Sequence, residues 1–117
     1  MLLVEDDGDV REALASTLEE LGDEVRLASD GAEALLLLRA GLHPCVILLD
    51  LMMPVMDGFA FRREQRADPA LADIPVIVLS GAVTTLDEVR DMQVAALLTK
   101  PVDCDRMLRL VAELCPS

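Results

Sequence analysis

Four apolar runs in this chain each end on a group that can do chemistry. Leu2-Leu3-Val4 meets Glu5-Asp6-Asp7, Val46-Ile47-Leu48-Leu49 meets Asp50, Val76-Ile77-Val78-Leu79 meets Ser80, and residues 95–98 meet Thr99-Lys100-Pro101. Acids brought together from two runs repel unless a cation lies between them, and their oxygens suit a hard ion. With two or three carboxylates, Mg²⁺ keeping several waters fits best. A carboxylate can also attack phosphorus to give an aspartyl-phosphate. A metal and an ammonium group then neutralise the phosphoryl oxygens while a hydroxyl donates to one of them. Taken singly, each residue has a plainer reading: acids at a helix start, favoured by the dipole, a turn serine, a solvated lysine. Taken together, Glu5, Asp6, Asp50, Ser80 and Lys100 are the set a phosphoryl site needs.

The elements that must position them are legible in the spacing. The four runs read as short strands, the two that end at Asp50 and Ser80 buried on both faces, and Val25 with Leu27 suggests one more. Between them lie helical patterns. Val10, Ala13, Leu14, Leu18 and Leu21 share a face that stops at Gly22. Asp30-Gly31-Ala32-Glu33 is a capping-box start for a helix to about Arg39, and the Leu run inside it is core-facing. A third helix is expected from about Gly58 to Arg66, and Thr85-Leu86-Asp87-Glu88 caps a fourth over 85–94. Asp103 caps a last one whose apolar face is Met107, Leu108, Val111 and Leu114. Five strand-then-helix units with short connections imply a parallel sheet with helices on both faces. Such sheets bind ligands at the carboxyl ends of their strands.

The 117 residues suit one domain over residues 1–117. With 53% hydrophobic residues but no Trp or Tyr, the chain lacks the stacking platforms of single-strand nucleic-acid binders. Twenty-two acids against 10 bases, a net charge of -12, argue against holding a phosphate backbone. No apolar run approaches the roughly 18 residues of a membrane span. His43 reads as a solvated loop residue. Cys45, Cys104 and Cys115 form no metal spacing; Cys45 reads as a small residue opening the third strand, and the odd count favours a reducing cytoplasm.

The stretches Leu3-Val4-Glu5-Asp6-Asp7, Asp50-Leu51-Met52-Met53-Pro54-Val55-Met56-Asp57-Gly58, Ser80-Gly81 and Thr99-Lys100-Pro101 together resemble the receiver domain of bacterial two-component response regulators, also carried by hybrid sensor kinases. The resemblance runs from Leu2 to about Leu114. It implies a flavodoxin-like, doubly wound α/β fold with five parallel strands in the order 2-1-3-4-5. It places Asp50 as phosphoacceptor, Asp6 as a direct Mg²⁺ ligand, and Glu5 as the acid acting through metal-bound water. The Met52 carbonyl falls at the backbone ligand, Ser80 at the switch hydroxyl, and Lys100 at the lysine that contacts the phosphoryl group, with Lys100-Pro101 cis. Asp7 lies one place beyond the acid pair and is assigned to the helix start.

The resemblance further implies a histidine kinase or histidine phosphotransfer protein as donor and a cytoplasmic location. The output partner, or a homodimer, is left open. Two departures bear on the output. Leu97 stands where the family usually has Phe or Tyr, and the interval from Ser80 to Lys100 is slightly short. The expected signal path is therefore the 80–84 loop, the helix after it and the last helix, with Leu97 nearly passive. The resemblance also implies that Met52 and Ala82 stand where side chains flank the approach of a hydrolytic water; neither can orient it by hydrogen bonding, so slow self-dephosphorylation is expected. The competing readings are a Mg²⁺-dependent aspartyl-phosphate phosphatase, which needs an acid at Met52, and a pseudo-receiver, which should have lost Asp50, Asp6 or Lys100. A flavin binder would need a Ser/Thr/Gly-rich loop after the first strand.

Overall fold

The computed structural model describes residues 1–22, 24–81 and 89–115. Strands β1 (Leu2–Val4), β2 (Arg26–Ala28), β3 (Ile47–Asp50), β4 (Val76–Ser80) and β5 (Ala96–Thr99) alternate with helices α1 (Gly8–Glu19), α2 (Gly31–Arg39), α3 (Gly58–Ala67) and α4 (Cys104–Leu114). The sheet is parallel throughout, in the order β2-β1-β3-β4-β5. The expected flavodoxin-like topology is the one observed. Of the expected helix over 85–94, residues 85–88 lie outside the described residues, and among the rest Val89 and Arg90 are helical. Its described remainder ends in a turn at Gln93, where φ is 54°.

Side-chain alternation along the strands builds two cores, because successive residues point to opposite faces. Leu2, Val4, Ile47, Leu49, Val76 and Val78 pack with Ala34, Leu35, Leu38 and Phe61 of α2 and α3. Leu3, Val46, Leu48, Ile77, Leu79 and Leu98 pack with Leu14 and Leu18 of α1 and Met107 and Val111 of α4. Each of the four helices α1–α4 is fixed at its start by an aspartate whose carboxylate accepts backbone N–H groups: Asp7, Asp30, Asp57 and Asp103. At α2 the acid of the capping box is used differently from its usual form. Asp30 takes the Glu33 N–H at 2.8 Å, but Glu33 reaches the N–H and hydroxyl of Ser29 rather than that of Asp30.

The reading of Cys45 as a simple strand-opening residue is corrected. Cys45 is disulfide-bonded to Cys115, the C-cap of α4, with Cα atoms 5.4 Å apart. The fold brings together two positions 70 residues apart in the chain. Cys104 is the free and exposed thiol.

Candidate functional site

Register decides what meets at the carboxyl edge of the sheet. Asp50 pairs with Leu79 and Ser80 with Thr99, so β3, β4 and β5 end nearly level, and Glu5 follows β1 directly. Asp50 is 3% exposed and Glu5 is fully buried, whereas Asp6 is exposed at the edge of the cluster. One carboxylate oxygen from each of Glu5, Asp6 and Asp50 lies within 4.8 Å of the others. Lys100, the first residue after β5, places Nζ 2.7 Å from Glu5 Oε1 and 3.3 Å from Asp50 Oδ2. The other oxygen of Asp50, Oδ1, accepts the Met52 N–H at 3.2 Å.

The surrounding chain holds these groups in place. The Glu5 N–H donates to the Ala28 carbonyl of β2, and Arg11 Nη1 donates to the Glu5 carbonyl at 2.8 Å. Arg11 had no sequence signal beyond its place in the first turns of α1. The Lys100 N–H donates to the Ser80 carbonyl at 2.7 Å, and the Lys100-Pro101 peptide is cis, as expected. Asp7 turns away from the acids and caps α1 through the Asp9 and Val10 N–H groups. Ser80 is buried at the end of β4, but its hydroxyl donates to the Gly81 carbonyl at 2.9 Å rather than to an acid. Met52 is 71% exposed, and its backbone N–H is the group that reaches Asp50. Leu97 is half-buried against the α2–α3 side of the sheet and is not among the clustered groups. Ala82, with residues 83–84 of the expected signal path, lies outside the described residues.

Gly58 also serves this site. A Cβ there would stand 2.8 Å from the Asp50 carbonyl oxygen and from the Leu51 Cα. The first residue of α3 thus packs on the backbone that carries Asp50, a reason for glycine that the Asp-Gly turn signal did not reveal. Backbone cannot give way as a side-chain tip can. Gly58→Ala is expected to destabilise the fold by about 2 kcal/mol, as overpacking does, and to shift the Asp50 amide resonance; urea denaturation and an amide spectrum check both.

Charge is unbalanced in the pocket, with three carboxylates facing one ammonium. Burial first, then the neighbouring Asp50, raises the Glu5 pKa from 4.5 to about 7 against the pull of Lys100. Burial and Asp50 raise Asp6 as well. Burial alone would lower the pKa of Lys100, but the Glu5 hydrogen bond and the two negative charges outweigh it, and the net shift is upward. Glu5 Oε2 is buried without a hydrogen-bond partner. Three clustered carboxylates, one of them carrying a buried oxygen with no partner, make a hard-oxygen donor set, and the residues present fit a divalent cation.

The same geometry sets a pH dependence. A carboxyl raised from 4.5 to about 7 stabilises the fold at low pH and loses that contribution as pH rises through 7. Removing Lys100 removes the two influences that hold Glu5 down and leaves an unpaired buried charge at high pH. Lys100→Ala is expected to destabilise the metal-free protein by about 3 kcal/mol near pH 8.5. The loss should shrink markedly near pH 5.5, where Glu5 is neutral in both proteins. Urea titrations at the two pH values test this, and an equal loss at both would contradict it.

Comparison with known proteins identifies the family. The family model described as "Response regulator receiver domain" matches residues 1–112. Response regulator Rre1 of Synechocystis is 36% identical, covering 97% of this chain and 50% of its own length. The DNA-binding dual master transcriptional regulator RpaA of the same organism is 35% identical, covering 97% and 48%. The chain therefore spans about half the length of these curated relatives. The receiver domain of the Francisella response regulator 1452 superposes with a TM-score of 0.85 at 30% identity, covering 97% of this chain and 93% of that one.

Proposed function

The chain belongs to the response regulator receiver domain family, and from that premise we propose that Asp50 accepts a phosphoryl group from a phosphohistidine donor and that the resulting charge changes the protein's binding surface. The observation that carries this reading is the Asp50 carboxylate, nearly buried at a strand end, with one oxygen on a backbone N–H and the other 3.3 Å from Lys100. In the proposed step, an Asp50 oxygen forms the new bond to phosphorus as the phosphorus–nitrogen bond breaks. The imidazole leaves with that electron pair and is reprotonated from solvent. The Met52 N–H orients the carboxylate, and Lys100 turns its ammonium from Glu5 toward the incoming oxygens.

Mg²⁺, when bound, would neutralise charge on the phosphoryl oxygens. Asp6 and Asp50 would hold it directly, Glu5 through water and Met52 through its carbonyl. Ser80 would leave the Gly81 carbonyl and donate to a phosphoryl oxygen. Because the Lys100 N–H is bonded to the Ser80 carbonyl, movement at Ser80 reaches the end of β5 directly. Leu97 offers neither a ring nor a hydroxyl to relay it, so the proposed carriers are the loop after Ser80 and α4.

The donor is proposed to be a histidine kinase or histidine phosphotransfer protein, in the cytoplasm. The product is a signalling state, so the chain is not proposed as an enzyme with a turnover substrate. At a net charge of -12, DNA contact of the kind named for RpaA is not proposed for these residues; a further domain, an output protein or a second copy of the chain would read the state. Among the described residues no helix is long and apolar enough to cross a membrane. Incubation with acetyl phosphate and Mg²⁺ should add the mass of one phosphoryl group per chain, and chelation of the metal should prevent it. Uptake that ignores chelation, or more than one group per chain, would count against the reading.

A further inference from the structure

A second group of charged residues lies along α3 and shares none with the acidic cluster. A cavity of about 620 Å³ is lined by Arg62, Arg63 and Arg66 together with Phe59 and Met92. Three cations share one groove in a chain with only 10 basic residues. Asp91 stands at the rim, but it forms no ion pair with them among the described residues.

Arg62 is the unusual member. It is 6% exposed, yet its guanidinium contacts neutral acceptors. Nε donates to the Met92 carbonyl at 2.9 Å, Nη2 to the Gln93 carbonyl at 3.0 Å, and Nη1 to Gln65 Oε1 at 2.7 Å. Arg66 likewise donates to the Asp91 carbonyl and to Gln93 Oε1. Neither is ion-paired among the described residues. A guanidinium keeps its charge and carries five N–H donors in a rigid fork, so both retain donors beyond those bonds. A carbonyl clamp does not need a cation. On the same helix Gln65 clamps the Leu71 and Ile74 carbonyls with a neutral amide. A buried charge is ordinarily paired, because leaving it alone is costly. Burial first and Arg66 second lower the Arg62 pKa, and a nearby anion would oppose both by favouring the charged form.

We propose that this groove binds a small organic anion, its carboxylate or phosphate held by Arg62, Arg63 and Arg66 and its flat apolar body lying on Phe59 and Met92. The volume lies within the range of roughly 300–1,000 Å³ typical of small-molecule sites, and planar guanidinium forks match carboxylate and phosphate oxygens alike. Because Arg62 already holds the Met92 and Gln93 carbonyls, occupancy is reported on the turn that leads into β5.

The test uses the whole chain in metal-free buffer, followed by amide resonances. 1-Naphthyl phosphate and 2-naphthoate are titrated separately, with inorganic phosphate as the probe lacking an apolar body. Saturable shifts at Phe59, Arg62, Met92 and Gln93 with either naphthyl compound, at least about tenfold tighter than with inorganic phosphate, are expected. Which of the two saturates first assigns the headgroup. Arg63 is exposed and makes no hydrogen bond or ion pair among the described residues, so Arg63→Glu should leave the fold and phosphoryl uptake intact. It should weaken the naphthyl anion by about tenfold or more. Shifts that fail to saturate, saturate elsewhere, or are indifferent to Arg63→Glu overturn the proposal. Equal affinity for inorganic phosphate overturns the part assigned to Phe59 and Met92.

Discussion

Asp50→Asn is expected to abolish phosphoryl uptake from acetyl phosphate while leaving the fold intact. Asparagine has the same shape, and its carbonyl can still accept the Met52 N–H that Asp50 Oδ1 accepts at 3.2 Å. What it lacks is a charged oxygen able to bond phosphorus. Electrostatics favour the folded variant. Asp50 is one of the influences that raise Glu5 to about 7, so its neutral replacement lets that pKa fall back toward 4.5. Thermal unfolding near neutral pH should therefore show a variant at least as stable as the parent, and loss of uptake would not be loss of structure. Uptake by Asp50→Asn at the parental level would remove Asp50 from the account.

The other large effect concerns stability. Reduction of the Cys45–Cys115 disulfide, or Cys115→Ser, should destabilise the protein by about 4 kcal/mol, the chain-entropy value for a cross-link closing some 70 residues. That corresponds to a fall in Tm of roughly 15 °C. The bond ties the segment before β3 to the end of α4, where Cys115 is 7% exposed within the α1–α4 core. Cys104→Ser, at the exposed free thiol, should change nothing and serves as the control. Disulfides are rare in a reducing compartment, so stability in dithiothreitol is the value relevant to a cytoplasmic setting. A Tm indifferent to dithiothreitol would mean that the cross-link does not contribute.

The bond shows where the sequence stops being informative. β3 and β4 were legible because residues 46–49 and 76–79 are unbroken aliphatic runs, which only a strand covered on both faces explains. The helix starts were legible because an aspartate before an amphipathic pattern satisfies free N–H groups locally. Asp50, Asp6 and Lys100 were nameable because strand order sends strand ends to one edge. Contacts made by folding were not. The pairing of Cys45 with Cys115, Arg11 on the Glu5 carbonyl, and the approach of Gly58 to the Asp50 backbone all depend on how distant segments pack. Arg62 and Gln65 were hidden for a related reason. They sit buried on α3, where polarity predicts solvent, and their bonds run to carbonyls on turns whose path no local pattern sets. The direction of the Ser80 hydroxyl, turned to Gly81, is likewise a matter of local geometry and not of residue type.

The most direct test of the central claim is the location of the phosphoryl group. After phosphorylation with acetyl phosphate and Mg²⁺, borohydride reduces the acyl phosphate to an alcohol, and tandem mass spectrometry of the peptides then finds the altered residue. The account predicts that Asp50 alone is altered. Reduction at Glu5, Asp6 or Asp7, or a phosphate surviving on Ser80, would contradict it.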